Sequence, residues 1–295
     1  MSVRRGESTY YLLAESAGRL VGDAAAVLLG GWESPAYWQI ARAARRRGAR
    51  RVGFYESTLA SMGHRAGPIA GARRRFFQGL DAVVVPGIAA RDAVRSLGVG
   101  DDRIHLGFNA VDVAGFHAAQ QPGAEGPGHG FVYVGQLIER KNVAALIEAF
   151  GLIRATHDTL TIIGEGELRP DLTRLVELFG LSGYVDFRGA VPYSELPATL
   201  GRAQTLVLPS LVEVWGLVAN EALASGCHVV VSEIAGVAPS IADMDGVFLC
   251  QPGVASIARA MRASREQWEG RIVEPAILTH TPERFADVFR AALLS

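Results

Sequence analysis

The stretch "TLVLPSLVEVWGLVANEALASGCHVVVS" (205–232) decides the fold, because it contains two strand patterns separated by a helical one. "TLVLPS" (205–210) is a short apolar run that ends at a proline and a serine, and "CHVVVS" (227–232) is a run of β-branched residues. Between them, residues 217–225 are rich in Ala and Leu and stop at Gly226, a residue that commonly follows a helix. Strand, helix and strand in this order predict a parallel βαβ unit.

The same alternation extends in both directions from this stretch. In the first part of the chain it predicts strands at 25–31, 51–57, 81–87 and 103–107, and helices at 7–20, 35–47, 70–79 and 88–98. Further along it predicts strands at 131–135, 159–164, 184–189, 205–210 and 227–232, with 248–251 as a sixth, and helices at 141–154, 168–179, 193–201, 217–225, 254–268 and from Glu283 to Leu294. The fold class is therefore α/β with two Rossmann-like, doubly wound sheets.

A segment rich in Gly, Pro, Ala and Gln, "AAQQPGAEGPGHG" (118–130), separates the two series and is interpreted as an interdomain linker. The predicted domains are residues 1–122 and 123–295, with the last helix, about 282–294, as a candidate to pack back on the first domain. The first domain is short for its class, since no opening strand with a Gly-rich turn precedes residues 25–31.

Charge is distributed unevenly along the 295 residues. Residues 1–121 hold 16 arginines against 10 acidic residues, whereas the remainder holds 13 basic against 20 acidic residues. The arginines concentrate in 41–51 and 71–77, which fits either a solvated helix face or a surface for an anionic substrate or membrane. No recognition-helix or zinc-finger pattern accompanies them, which disfavours nucleic acid as a partner.

The remaining compositional signals are weaker. No apolar run is long enough for a membrane span, and the N-terminus lacks the apolar core of a signal peptide. Cys227 and Cys250 form no CxxC pattern. We therefore expect a cytoplasmic protein, with peripheral membrane association as an additional hypothesis.

Ligands of open parallel sheets bind beyond the carboxyl ends of the strands, so the loops there hold the candidate site residues. The first such loop, "GQLIERKN", contains Arg140 and Lys141 at a helix opening, and Lys141 is the only lysine beside 28 arginines. A compact cation beside a helix N-terminus suits a phosphate. The second loop offers Gly164 and Gly166, either as a tight turn or as a close approach of backbone to a ligand.

The loop within 205–232 carries two acids, Glu213 in the loop and Glu221 about one turn into the helix. Glu221 alone is explained by the helix dipole, and Glu213 alone by solvation. Together with the helix mouth at Gly216-Leu217 they form a set that can accept sugar hydroxyls at Glu213, hold a diphosphate at the helix, and accept ribose hydroxyls at Glu221.

These residues resemble the retaining glycosyltransferases of the GT-B fold, family 4, also called group 1. The resemblance rests on Glu213 and Glu221 in "EVWGLVANEALASG", and on "VGQLIERKN", "IIGEGEL", "VDFRGAVP" and "LVLPS" in family order. An earlier segment, "RIHLGFNAVDVAGF" (103–116), resembles the family's interdomain signature, with Asn109, Asp112 and Phe116 in place. The implied fold has two Rossmann-like domains facing a cleft, of which the N-terminal one is incomplete here.

The resemblance implies a nucleotide-sugar donor, UDP- or GDP-linked, an unidentified acceptor in glycan biosynthesis, hexosyl transfer with retention, and no metal or other cofactor. Lys141 would neutralise the donor diphosphate and Glu213 would contact the transferred sugar as the catalytic pair. The implied donor-binding residues are Gln136, Arg140, Gly164, Gly166, Arg188, Gly216, Leu217 and Glu221. On the acceptor side the candidates are Glu56, Ser57 and Arg73.

Two departures from the family pattern keep alternatives open. Gln136 stands where the family usually has an arginine, and the opening strand with its Gly-rich loop is missing. One alternative is therefore a catalytically inactive, donor-binding remnant or partner subunit. A nicotinamide oxidoreductase is the other, and the absence of a GxGxxG fingerprint after an opening strand disfavours it.

Overall fold

The computed structural model describes residues 2–5, 8–120 and 128–295, and these form two compact units. The first unit contains the residues up to Phe108 together with Glu283–Ser295, and the second contains Asn109–Pro282. The elements before residue 109 are β1 (Ser2–Arg5), β2 (Ser8–Tyr11), α1 (Ala17–Val21), β3 (Ala26–Leu29), α2 (Pro35–Arg47), β4 (Arg50–Phe54), α3 (Gly67–Gln78), β5 (Ala82–Val85), α4 (Ile88–Ser96) and β6 (Ile104–Leu106).

The elements that follow are α5 (Val113–Ala118), β7 (Gly130–Val134), α6 (Val143–Ile153), β8 (Thr159–Ile163), α7 (Arg169–Leu178), β9 (Val185–Gly189), α8 (Leu196–Leu200), β10 (Thr205–Leu208), α9 (Leu217–Ala224), β11 (His228–Ser232), α10 (Ala238–Ile241), β12 (Val247–Cys250), α11 (Val254–Glu266) and α12 (Pro282–Leu294). Short 3₁₀ turns at Asp101–Arg103, Glu139–Lys141, Tyr193–Glu195 and Ala276–Thr279 complete the described chain.

In the first unit, β3, β4, β5 and β6 pair in parallel in that order. Because successive strands are neighbours, their connecting helices α2, α3 and α4 lie on one face, where they pack against Val83 and Val85. The alternate residues of β5, Ala82 and Val84, point to the other face. There they pack against Ala292 and the partly buried aromatic rings of α12, so the last helix supplies the second cover of this sheet.

The second unit contains a six-stranded sheet in the order β12-β11-β10-β7-β8-β9, and every pairing is parallel. Its helices α6, α7 and α11 cover one face through a core that includes Phe131, Tyr133, Phe150 and Met261. On the opposite face, α9 packs against β10 and β11 with buried residues along its whole second turn. The predicted sixth strand is present as β12.

The prediction of a helix over residues 7–20 is wrong. Residues 8–11 form β2, which pairs antiparallel with β1, and the helix α1 is limited to Ala17–Val21. Thr9, Tyr10 and Tyr11 are residue types that favour strands, and this local preference outweighs the weak helical pattern. Residues 6 and 7 lie outside the described part of the chain.

The two units meet in sequence at Phe108 and Asn109, upstream of the predicted boundary at 122/123. Residues from Asn109 onward join the second unit because α5 packs against α8 and α9 and buries Val113 and Phe116. Of the predicted linker 118–130, residues 121–127 lie outside the described residues.

Candidate functional site

The centre of the second unit's sheet is a topological switch point. The chain begins this sheet at β7, adds β8 and β9 on one side, and then returns to add β10 on the other side of β7. The helices after β7 and β10 consequently cover opposite faces, since α6 packs in the core that contains Phe131 and Tyr133 whereas α9 packs on the other face. The loops that follow β7 and β10 lie at the carboxyl ends of the strands, which is where open α/β sheets bind ligands, and the region between these two loops is called the crevice below.

Lys141 and Glu213 come from these two loops and form an ion pair across the crevice. Their side chains are only 13% and 10% exposed, so each charge requires the other as its partner. The Ser210 hydroxyl donates a second hydrogen bond of 3.3 Å to the same carboxylate oxygen of Glu213. The crevice therefore holds a cation and an acid that a ligand with complementary charges can separate.

The two loops are fixed to each other by Asn142. This residue adopts a left-handed conformation with φ of 59°, and its side-chain amide donates to the carbonyls of Pro209 at 3.1 Å and Pro252 at 2.8 Å. A backbone bond of 2.8 Å from the Leu211 N–H to the Arg140 carbonyl adds to this connection. Sequence reasoning did not identify Asn142, although asparagine is one of the few non-glycine residues that tolerate this conformation.

The helix α9 opens at the crevice. Gly216, at its N-terminal cap, has φ of 105°, and a Cβ there would lie 2.7 Å from the Leu208 side chain, so only glycine fits. The first N–H groups of a helix have no intrahelical acceptor and carry partial positive charge, which favours an anion at Leu217 and beyond. The preceding Trp215 is buried, and its carbonyl accepts a hydrogen bond of 3.1 Å from the Val237 N–H.

Glu221 lies one turn into α9 and is 95% buried. Its carboxylate accepts a 3.0 Å hydrogen bond from the Tyr193 hydroxyl, in the segment that follows β9. Burial raises the pKa of the Glu221 carboxyl above its usual range, and the Tyr193 hydrogen bond opposes this shift. Tyr193 was not among the sequence-predicted residues, because its approach to Glu221 depends on the packing of the second unit and not on a local pattern.

The predicted signature residues Asn109, Asp112 and Phe116 lie near α9 and Tyr193. Asn220 donates from its side-chain amide to the Asn109 carbonyl at 2.6 Å, and Asp112 caps α5 by accepting from the Gly115 N–H at 3.0 Å. The buried ring of Phe116 packs edge-on against Tyr193, with ring centroids 6.0 Å apart. These contacts fix the position of the Tyr193 ring beside Glu221.

Gly164 and Gly166 are explained by contact between loops. A Cβ on Gly164 would lie 1.9 Å from the carbonyl oxygen of Gly135, and one on Gly166 would lie 2.3 Å from that of Leu137. The loops after β7 and β8 thus run side by side at a distance that only glycine allows. Their predicted contact with a ligand stays a prediction.

The other predicted donor residues are placed as follows. Arg140 and Gln136 are exposed in the loop after β7, and the carbonyl of Gln136 accepts a 2.8 Å hydrogen bond from the Tyr133 hydroxyl. Arg188 lies on the edge strand β9, where it pairs with Asp186 at 2.9 Å. It lines a cavity of about 430 Å³ together with Thr161 and other residues of the α8 face. No described contact joins Arg188 to Lys141, Glu213 or Glu221.

The predicted acceptor-side residues lie in the first unit. Glu56 is exposed and Ser57 half-buried just after β4, whereas Arg73 is buried on α3. Ser57 and Arg73 line one cavity of about 430 Å³. Glu56 is not among the residues that line this cavity.

Within the described ranges, no three His, Cys, Asp or Glu side chains are grouped so that they could hold a metal ion. The helices in the same ranges include none with the length and apolar character needed to cross a membrane.

Comparison with known proteins gives a matching family model and a related protein. Residues 128–266 match the family model described as glycosyl transferases group 1. Over 187 residues the chain is 34% identical to a glycogen synthase of Mycobacterium tuberculosis (strain CDC 1551 / Oshkosh), which is 62% of this chain but only 45% of that protein. The chain therefore spans less than half the length of this relative.

Two solved structures share the fold. The apo form of the lipopolysaccharide outer core galactosyltransferase WaaB superposes with a TM-score of 0.75 at 17% identity, covering 94% of this chain and 77% of that one. Anabaena Alr3699/HepE in complex with UDP gives a TM-score of 0.69 at 15% identity, covering 93% and 80%. The α/β architecture with two parallel sheets is thus the GT-B fold of these glycosyltransferases.

Proposed function

We propose that this chain transfers a hexose-type sugar from a nucleoside diphosphate sugar to an acceptor hydroxyl, with retention of configuration, because its residues 128–266 match the family model of group 1 glycosyl transferases. The observation that carries this proposal is the Lys141–Glu213 ion pair at the switch point, beside the N-terminus of α9. A diphosphate sugar has an anion for Lys141 and hydroxyls for Glu213, so it satisfies both charges when it separates them.

In the proposed reaction, the bond between the anomeric carbon and the diphosphate oxygen breaks, and its electron pair goes to that oxygen. The acceptor oxygen bonds to the anomeric carbon from the same face, and its proton passes to the departing phosphate. Stabilising the charge on the leaving phosphate is then the main electrostatic task. We assign it to Lys141, to Arg140 and to the backbone N–H groups at Gly216 and Leu217.

Glu221 is proposed to accept the ribose hydroxyls and Glu213 a hydroxyl of the transferred sugar. The loop residues Gln136, Gly164 and Gly166 line the crevice in this proposal, and Arg188 contacts the nucleotide from β9. The donor is UDP- or GDP-linked; the HepE structure of the same fold contains UDP. The proposal gives the diphosphate charge to these residues and to no metal ion, so we expect EDTA to leave turnover unchanged.

Isothermal titration with UDP and GDP tests the donor site. The variants Lys141→Ala and Glu221→Ala should each weaken binding about tenfold or more, because a hydrogen bond to a charged group contributes about 1.5–3 kcal/mol. Arg259→Ala, on the exposed face of α11, is the matched control and should bind like the parent. Equal binding by the parent and the two site variants would contradict the assignment.

A turnover assay separates the enzyme from a non-catalytic, donor-binding module. Release of the nucleotide from a UDP- or GDP-sugar in the presence of candidate acceptors is expected, and Glu213→Gln should slow it without abolishing nucleotide binding. Binding of UDP without hydrolysis or transfer would identify the module.

The arginines of the first unit favour a peripheral contact with anionic membrane. A groove of about 720 Å³ is lined by Arg42, Arg45, Arg46, Arg51 and Arg75, of which Arg51 is paired with Asp81 at 2.7 Å. Each basic residue near an anionic surface contributes about 1 kcal/mol of attraction. Co-sedimentation with phosphatidylglycerol vesicles, lost at high salt and absent with phosphatidylcholine vesicles, is the expected result.

A further inference from the structure

The first unit has its own cavity, of about 430 Å³, beyond the carboxyl ends of two adjacent strands. Trp32 follows β3, and Tyr55 and Ser57 follow β4, so the residues that line it occupy the loops where parallel sheets bind ligands. Arg73 closes the cavity from the helix α3.

Arg73 is an unusual residue to find in this position, because the residue is 95% buried and forms no ion pair with an acid among the described residues. One terminal nitrogen donates to the Gly63 carbonyl at 2.7 Å, and the guanidinium carbon lies 4.8 Å from the centroid of the Trp32 ring. Its Nε–H group is buried and has no hydrogen-bond partner among the described residues. A buried charge without a counter-charge destabilises the fold, and each unmade hydrogen bond adds to this.

The remaining walls combine hydroxyl donors with apolar surface. Burial raises the pKa of the Tyr55 phenol, so its proton is retained, and its oxygen accepts hydrogen bonds from the Ser57 hydroxyl and from the Arg73 guanidinium. Trp32, Met62 and Ile69 supply apolar contact area. Among the described residues that line the cavity, Glu33 is the one that carries a carboxylate; it is exposed, and it accepts a 3.1 Å hydrogen bond from the Trp32 N–H.

We propose that this cavity binds a small molecule through an anionic group, a phosphate or a carboxylate, that lies against the guanidinium of Arg73. The anion supplies the missing counter-charge and accepts the Nε–H bond, and the planar guanidinium can hold two of its oxygens at once. The Tyr55 hydroxyl, which keeps its proton, adds a further donor. In the glycosyltransferase proposed above, on which this identification rests, the bound molecule is the acceptor.

The test uses three probes of one shape: glucose 6-phosphate, glucuronate and uncharged glucose. Binding is measured by isothermal titration on the Lys141→Ala variant, so that the donor crevice does not contribute a second phosphate site. We expect the phosphate or the carboxylate to bind at least tenfold more tightly than glucose, and the comparison of the two charged probes identifies which anion the cavity prefers. Equal binding of all three probes, or no binding of either anion, would overturn the proposal.

Variants locate the site within the chain. Arg73→Gln should reduce anion binding at least tenfold, Arg73→Lys should retain part of it, and Arg74→Gln, the exposed neighbour on α3, should retain all of it. If circular dichroism shows that Arg73→Gln does not fold, Trp32→Leu decides instead: loss of the ring that holds the guanidinium should weaken anion binding several-fold. Full anion binding by a folded Arg73→Gln protein, or by Trp32→Leu in that case, would disprove the assignment.

Failure of this inference and failure of the proposed function give different results. If the Arg73 variants bind anions like their parent while Lys141→Ala abolishes UDP binding, the donor site is supported and the anion site in the cavity is rejected. If UDP does not bind at all but Arg73→Gln loses the anion, the cavity stands as an anion site and the glycosyltransferase assignment fails.

Discussion

Lys141 and Glu213, 72 residues apart in sequence, form an ion pair between the loops after β7 and β10. Each charged side chain has its ion-pair partner in the other loop, and the strand order brings the two loops to the same crevice. The pair is thus a property of the sheet topology, and it gives the ligand-free crevice a partner for each charge.

The only lysine of the chain offers a direct measurement of crevice occupancy. Because Lys141 is mostly buried and paired with Glu213, we expect slow acetylation by an amine-selective reagent, with further protection of about tenfold at saturating UDP. Glu213→Gln should accelerate labelling, since the ammonium loses its partner. Mass spectrometry of the peptide that contains Lys141 measures both effects, and the α-amino group provides the internal reference. A labelling rate that UDP does not change would contradict occupancy of the crevice.

Glu221→Gln is expected to stabilise the fold at neutral pH while it weakens nucleotide binding about tenfold. Burial raises the pKa of this carboxyl above its ordinary value of 4.5, so the folded state holds the proton more tightly than the unfolded chain does. Stability from this group is therefore lost as pH rises from about 4.5 through the higher native pKa. Glutamine removes the penalty, so the stability gained in urea unfolding should be larger at pH 8 than at pH 4.5. The same difference at both pH values would contradict this account.

Tyr193→Phe should shift the pH dependence of UDP binding. The Tyr193 hydroxyl lowers the pKa of Glu221 against the effect of burial, and its loss raises that pKa further. If ionised Glu221 accepts the ribose hydroxyls, the acid limb of the binding profile moves to higher pH, while affinity at high pH stays within about threefold of the parent. Tyr184→Phe is the control, because that ring contacts Arg154 instead. An acid limb that stays in place would argue against ionised Glu221 as the ligand of ribose.

Substitutions at Asn142 separate its two roles. Asn142→Gly keeps the left-handed conformation but loses both side-chain hydrogen bonds, so we expect a loss of about 1–3 kcal/mol in the free energy of unfolding. Asn142→Ala should lose about 1 kcal/mol more because of its positive φ. Urea denaturation monitored in both variants measures the two contributions. Equal stabilities of the glycine and alanine variants would show that backbone conformation contributes little here.

The sequence predicted most strands of both sheets, because each is a short apolar run bounded by Gly, Pro or Asp. The strand β5, "AVVV" between Asp81 and Pro86, is such a run, and all four of its residues are buried. The sequence pattern was less informative for β2 and α1, because these segments have only four and five residues and their local preferences conflict.

Lys141 and Glu213 could be predicted as site residues because each lies in a loop that follows a parallel strand, and the structure brings these two side chains together as an ion pair. Tyr193 and Asn142 depend on contacts across the fold that leave no periodic signal, so the sequence did not reveal them. For Gly164 the sequence left a tight turn and a ligand contact as equal alternatives. A Cβ on Gly164 would lie 1.9 Å from the Gly135 carbonyl oxygen, which supplies a reason for glycine that needs no ligand.

The position of α12 also determines the order in which the chain can complete its structure during synthesis. Residues 282–294 cover one face of a sheet whose strands end at Leu106, so the whole second unit is translated between the two parts of the first. On the ribosome, the second unit can finish folding while Val52 and Val84 still lack their cover. The N-terminal unit therefore cannot complete the packing of this sheet face until α12 has been translated.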